Sequence, residues 1–237
     1  PQPLADNYYF TRSFDFAWPE YQSTDNIVEH SYYTLNYEEA YEQASWVAYK
    51  LTEDHLEPNY KRTDNFRADP LIHTNSADRS DYKRSGYDRG HLAPAADFSW
   101  DATAMSESFL MSNMSPQSPE FNRGIWKKLE EKTRTWAKRN DELYVVTGPV
   151  LRKGLKKIGK NKVAVPKYYY KVILDIREPE IKAIGFLMEN KGSEKDLKSF
   201  AIPIDKIEKI SKLDFFPLLP DSLEQALESK VRLKGWF

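Results

Sequence analysis

The chain has 237 residues, 40% hydrophobic and 30% charged, with a mean hydropathy of −0.72; this suits one α+β or α/β domain and excludes a disordered composition or an apolar bilayer span, so no membrane partner is expected. It contains no cysteine, which excludes disulfides, thiolate metal centres and cysteine nucleophiles and leaves the redox compartment open. A formal net charge of −1 does not exclude a nucleic-acid partner, because a balanced total can hide a divided surface.

Residue 1 is Pro, and no basic-then-apolar leader precedes PQPLADNYYF. The expectation is a removed leader and a secreted or periplasmic protein. Residues 1–26 alternate aromatics with Pro, Ser and Asp without a helical or strand period and read as an N-terminal arm, leaving 27–237 as a single domain. The first sixty residues are acidic, with only Arg12 and Lys50 against eleven carboxylates that run from Asp6 to Glu57. Partial alternation of Val, Tyr, Trp and Thr predicts strands at Ile27–Tyr33 and Ser45–Leu51. From Asp54 to about Ala96 the chain is dense in Asn, Asp, Ser, Pro, Gly and Arg, which predicts a long irregular connection of the kind that usually carries function.

Asp101–Phe109 reads as a short helix capped by its Asp, followed by an extended FLMSNMSP. Ser118 suits a cap and Pro119 a first helical position. From Glu120 to Arg139, Phe121, Ile125, Trp126, Leu129, Thr133 and Trp136 recur at three- and four-residue steps, predicting a long helix. ELYVVTGPVL, KYYYKVILDI and IKAIGFLMEN predict three successive strands, and Lys195–Ala201, Ile204–Lys212 and Ser222–Ser229 short helices. Arg152, Lys153, Lys156, Lys157, Lys160, Lys162, Lys167 and Lys171 fall in a stretch without Asp or Glu. It reads as a nucleic-acid contact, although solvated lysine loops are common.

Two features carry chemistry. Ser85–His91 (SGYDRGH) sets His91 after two glycines that permit tight geometry, so the imidazole can be presented at an edge. On the long helix, about 100° per residue brings Asn122, Glu130 and Arg134 to one side with Trp126 between them. Taken alone, the same residues also suit an Asp88–Arg89 surface pair, a Glu130–Arg134 i,i+4 pair and a polar first turn.

Together they resemble the DNA/RNA non-specific endonuclease family, the ββα-metal nucleases that include endonuclease G. Asp88-Arg89-Gly90-His91 matches the family signature, and Asn113, Gln117, Asn122, Glu130 and Arg134 follow in its order and spacing. WVAYKLT near Trp46, FRADP near Phe66, YVVTGPV near Tyr144 and YYKVIL near Tyr169 extend the resemblance over about residues 27–215. The family fold it implies is α+β: a central antiparallel sheet with flanking helices, a β-hairpin bearing His91, and one long helix bearing the metal ligand.

The implied activity is metal-dependent, sequence-non-specific hydrolysis of DNA and RNA. His91 is then the general base and Asn122 the protein's ligand to Mg²⁺, with Mn²⁺ or another divalent ion as substitutes. A neutral imidazole can take a proton from water near neutral pH, and Mg²⁺ keeps several of its waters, so one amide oxygen suffices. Glu130 would meet the ion through water, and Arg89 and Arg134 would clamp phosphate. One upstream arginine is expected beside them, Arg62 being favoured over Arg67. Asn113 and Gln117 are expected to organise the site or bind substrate, and Asp88 to brace the signature turn. The rival reading is a catalytically silent nucleic-acid-binding protein of the same fold. A homodimer and a protein inhibitor stand as further partner expectations.

Overall fold

The computed structural model describes residues 15–74, 76–177 and 180–237. Its centre is one seven-stranded sheet built from β1 (Ile27–Glu29), β2 (Thr34–Glu38), β3 (Gln43–Thr52), β6 (Glu142–Pro149), β9 (Tyr168–Asp175), β10 (Lys182–Glu189) and β11 (Ala201–Ile202), in the order β1-β2-β3-β6-β9-β10-β11. All neighbours run antiparallel. Two hairpin-like pairs stand outside it: β4 (Asp88–His91) with β5 (Met114–Gln117), and β7 (Lys157–Ile158) with β8 (Val163–Ala164). The helices are α1 (Ala102–Glu107), α2 (Lys127–Asn140), α3 (Ile204–Ser211) and α4 (Asp221–Glu228).

The two-residue strand period divides the core in two. Val47, Tyr49, Val145, Tyr169, Ile173, Ile184 and Phe186 project to one face, where Trp126, Leu129 and Trp136 of the long helix cover them. Trp46, Ala48, Tyr144, Val146, Tyr170, Val172 and Ala183 project to the other, beneath Ile204, Ile207 and Leu227 of α3 and α4. Both faces being covered, the central strands are near-continuous apolar runs, which is why the sequence marks them so clearly. At Gly185 an added Cβ would lie 2.6 Å from Ile207 Cδ1, so a side chain there would lift α3 off the sheet.

Several boundaries differ from expectation. The strand predicted over Ile27–Tyr33 is strand only over β1, Ile27–Glu29, because the chain then turns into β2 with His30 N–H donating to Tyr33 C=O at 2.9 Å. The predicted helix Lys195–Ala201 is a 3₁₀ turn, Leu197–Phe200, leading into the edge strand β11. The long helix is regularly α only from Lys127. Its opening, Phe121–Trp126, is a π-helical turn in which Gly124 leaves helical geometry (φ −107°, ψ −111°). Part of the arm expected over 1–26 lies outside the described residues. In its described part Phe16, Ala17 and Trp18 are buried, with Phe16 packed edge-on against Tyr144 at 4.9 Å. Trp236 is also fully buried; its C=O accepts from Trp136 Nε1 at 2.5 Å, fastening residues 233–237 to α2. No helix among the described residues is long and apolar enough to cross a membrane.

Candidate active site

The signature strand and the long helix meet at a cleft of about 330 Å³ lined by Arg62, Arg89, His91, Pro94, Ala95, Ala96, Asn122, Arg123, Lys127, Glu130 and Arg134. β4 pairs with β5 in the register Asp88↔Gln117 to His91↔Met114. A Cβ on Gly90 would fall 2.2 Å from Gln117 Cδ, so only glycine lets the two strands close over that side chain. β5 is in turn anchored to the main sheet. Ser115 Oγ donates to Gln43 Oε1 at 2.5 Å, and Tyr169 OH lies 2.6 Å from Ser115 Oγ and donates to Pro116 C=O at 3.0 Å. Thus β3 and β9 fix the hairpin that carries the histidine.

His91 is 8% exposed, and its Nε2 has no hydrogen-bond partner. Phe109 and Phe66 meet its ring edge-on at 5.0 and 5.9 Å. Burial first, then the charges of Arg62 and Arg89, push its pKa down to about 3, so the imidazole is neutral at physiological pH. The same two phenylalanines seat the arginines: the Arg89 guanidinium lies 4.2 Å above Phe66 and that of Arg62 4.7 Å above Phe109. These contacts, with a hydrogen bond from Arg62 Nε to Asp64 Oδ1 at 2.7 Å, fix two otherwise flexible cations.

Across the cleft, the π-helical turn presents Asn122. Its Nδ2 donates to Asp88 Oδ2 at 2.9 Å, while Arg123 Nε and Nη2 donate to Asp88 Oδ2 and Oδ1 at 2.8 and 2.7 Å. Burial pulls the Asp88 carboxyl up, but the hydrogen bonds from Arg123 and Asn122 outweigh it and hold its pKa below the ordinary value. With its amide nitrogen committed to a carboxylate, Asn122 has its carbonyl oxygen left for a cation. About two turns further on, Glu130 makes no hydrogen bond or ion pair among the described residues, and burial raises its pKa against the pull of Lys171. An oxygen-only pair of this kind, amide plus unpartnered carboxylate, fits a hard divalent ion. Arg134 Nη1 donates to the buried Asp97 Oδ1 at 2.8 Å, and Asp97 Oδ2 accepts from Tyr49 OH at 2.8 Å.

The structure therefore gathers His91, Arg89, Asn122, Glu130, Arg134 and Arg62 around one cleft. Arg67 does not join them: its Nη1 is held by Ser106 C=O at 2.8 Å and Asn65 C=O at 3.3 Å, facing a neighbouring groove. Asn113 and Gln117, expected among the substrate-binding residues, are fully buried and absent from the cleft wall. Asn113 instead clamps the chain just after His91, accepting from Ala93 N–H and donating to Ala93 and Ser108 C=O at 2.8–2.9 Å. Gln117 lies beneath Gly90. Asp88 braces Asn122 and Arg123 across the cleft instead of its own turn. Lys171 is also misplaced by the sequence reading. It is fully buried, donating to Thr147 Oγ1 at 2.6 Å with Nζ 5.2 Å from the Trp126 ring, whereas the other seven cations of its stretch are exposed. Asp97, Phe109 and Arg123 escaped sequence reasoning. Only Arg123 had a signal, as a cation beside Asn122 in the helix's first turn.

A model of DNA/RNA non-specific endonucleases matches residues 16–222 of this chain. The chain belongs to that family. The nuclease is 32% identical over 228 residues to the nuclease of Nostoc sp., covering 91% of this chain and 82% of the relative. It is 36% identical over 200 residues to human mitochondrial endonuclease G, covering 78% and 67%, and 33% identical over 221 residues to the nuclease of Serratia marcescens, covering 88% and 81%. Its fold matches that in a crystal structure of the EndoG/EndoGI complex, with a TM-score of 0.79 and 31% identity over 87% of this chain and 90% of the other. The enzyme is thus a non-specific DNA/RNA endonuclease of the EndoG type with the expected antiparallel sheet and flanking helices, and its family depends on a divalent metal. These relatives are named as nucleases, and nothing favours the silent binding protein.

Proposed function

We propose that His91 is the general base of phosphodiester hydrolysis and that Asn122 is the side chain that holds Mg²⁺. The observation that carries this reading is the opposition of a neutral, buried imidazole and an amide oxygen across a cleft rimmed by cations. His91 takes a proton from the attacking water. Its low proton affinity in the free protein rises when an anionic phosphate offsets Arg62 and Arg89, the two cations that help depress it. Arg62, Arg89 and Arg134 hold the phosphate oxygens and meet the charge that grows in the transition state. The bound ion would supply the positive charge that offsets the leaving oxygen. Glu130 accepts hydrogen bonds from the ion's water shell, and Asp88 keeps the Asn122 oxygen turned toward it.

The exposed lysines of the β7–β8 region extend the cationic surface. Lys156 Nζ lies 5.2 Å from the ring of Tyr87, the neighbour of the signature, so that loop flanks the cleft and would hold substrate through its phosphates without reading bases. The EndoG neighbour was solved in a complex described as inhibition by EndoGI, and a protein inhibitor that covers this cleft is proposed on that footing.

The test is cleavage of supercoiled plasmid and total RNA with EDTA, then with Mg²⁺ restored, by the parent, His91→Ala and Asn122→Ala. Both variants should be folded and close to inactive, and Asn122→Ala should need far more Mg²⁺. Turnover retained by His91→Ala would remove the base, and unchanged Mg²⁺ dependence in Asn122→Ala would move the metal elsewhere.

A further inference from the structure

On the face of the sheet opposite the cleft, Asp205 and Glu208 of α3 and Glu228 of α4 bring carboxylate oxygens within 4.8 Å of one another. Asp214 on the connecting loop and Asp221 and Glu224 in the first turn of α4 add to the same acidic field. Among the described residues none of these six acids makes an ion pair. Lys206 and Lys209 of α3 and Lys212 at its C-cap are exposed, and none of them makes an ion pair with these acids. Crowding alone would say little, since acidic surfaces are common. The second observation is Glu228 itself: it is 4% exposed, and its Oε1 is sealed from solvent without any hydrogen-bond donor. A buried carboxylate oxygen with no partner is costly, and its neighbours here are other carboxylates.

We propose that Asp205, Glu208 and Glu228 form a binding site for one calcium-sized hard divalent cation that staples α3 to α4. Three oxygens spread evenly around one Ca²⁺ at about 2.4 Å are about 4.2 Å apart, so oxygens already within 4.8 Å of one another need only close in slightly on the ion. Glu208 Oε1 already accepts from Phe215 N–H at 2.9 Å, which aims that carboxylate and ties the loop after α3 to the same point. Water would complete a six- to eight-fold shell. Burial and the mutual repulsion of Glu208, Glu224, Asp205 and Asp214 raise Glu228 to about 9, so without an ion the cluster resolves its charge by holding protons, which the cation displaces. The site is separate from the nuclease cleft, because α2 and the hairpin pack on the other face.

The test is thermal unfolding of the chelator-treated full chain with and without Ca²⁺, in the parent, Asn122→Ala, Glu228→Gln and Asp205→Asn. At about a hundredfold excess over Kd, Ca²⁺ should raise the Tm of the parent and of Asn122→Ala by about 5–10 °C. The rise should vanish in Glu228→Gln and Asp205→Asn, while both keep parental Mg²⁺-supported plasmid cleavage, which shows that they are folded. No Ca²⁺-dependent rise in the parent overturns the proposal, as does a rise that survives both acid substitutions. A rise lost in Asn122→Ala assigns the ion to the cleft and also overturns it.

Discussion

The two faces of the central sheet solve the problem of buried charge in opposite ways. Under α2 several ions have a fixed counterpart, Arg134 with Asp97 and Asp88 with Asn122 and Arg123, while Glu130 is left unpartnered among the described residues. The cations of the cleft lie on phenylalanine rings beside a neutral histidine, Arg89 without an ion pair among the described residues and Arg62 paired at 2.7 Å with the exposed Asp64. Under α3 and α4 the excess is anionic and has no ion-pair partner among the described residues. The first arrangement is preorganised for a polyanion. The second is stable only with protons or a cation. Function at this fold thus sits where charge is surplus but rigidly held, and the sheet keeps the two surpluses apart.

Substitutions can break that contrast. His91→Ala should lower kcat by about 10²–10⁴-fold on plasmid and RNA without moving the Tm response to Ca²⁺, and a small effect would leave the cleft without its base. Arg89→Ala follows, with a loss of about 10²–10³-fold in kcat/KM measured at fixed salt, since a preorganised cation aimed at the phosphate is lost. Asp88→Leu frees the Asn122 amide to turn, so the Mg²⁺ concentration for half-maximal rate should rise about 10–100-fold, with recovery of saturating rate; an unchanged Mg²⁺ requirement would strip Asp88 of its orienting role. Gly90→Ala drives a methyl into Gln117 and should cost about 1–3 kcal/mol in urea unfolding.

The contrast can also be read through pH. Between the ordinary imidazole value of 6.5 and the folded value of about 3, the unfolded chain binds a proton at His91 that the native chain does not, so falling pH favours unfolding. His91→Asn should flatten that acid limb by up to about 1.4 kcal/mol per pH unit. At Glu228 the sign reverses. Between 4.5 and about 9 the native chain holds the proton, so rising pH destabilises the metal-free protein, and Glu228→Gln should flatten the alkaline limb. Parallel pH curves for parent and variants would refute both assignments.

Legibility in the sequence tracked the same physics. β6, β9 and β10 were readable because both faces are buried, and α2 because one stripe is. The hairpin was not readable from pattern: β5 is Met-Ser-Pro-Gln, with a proline inside and four buried side chains of mixed polarity. Only the resemblance to a known family supplied it. His91, Asn122, Glu130 and Arg134 were legible as a group because motif and helical spacing coincide. Arg62 could not be separated from Arg67 in a stretch without period, where the decision lies in Phe109 and Ser106 forty residues on. Helical geometry also said nothing of the π-helical turn at Asn122, which depends on a break at Gly124. Lys171 misled because charge composition is blind to depth, and its neighbours on the chain are exposed.

The bond from Trp136 to Trp236 spans a hundred residues. A growing chain therefore makes the helix behind Asn122 long before the tryptophan that seats it has left the ribosome tunnel. The packing of α2 against Trp236 is thus completed only after a segment a hundred residues downstream has been made.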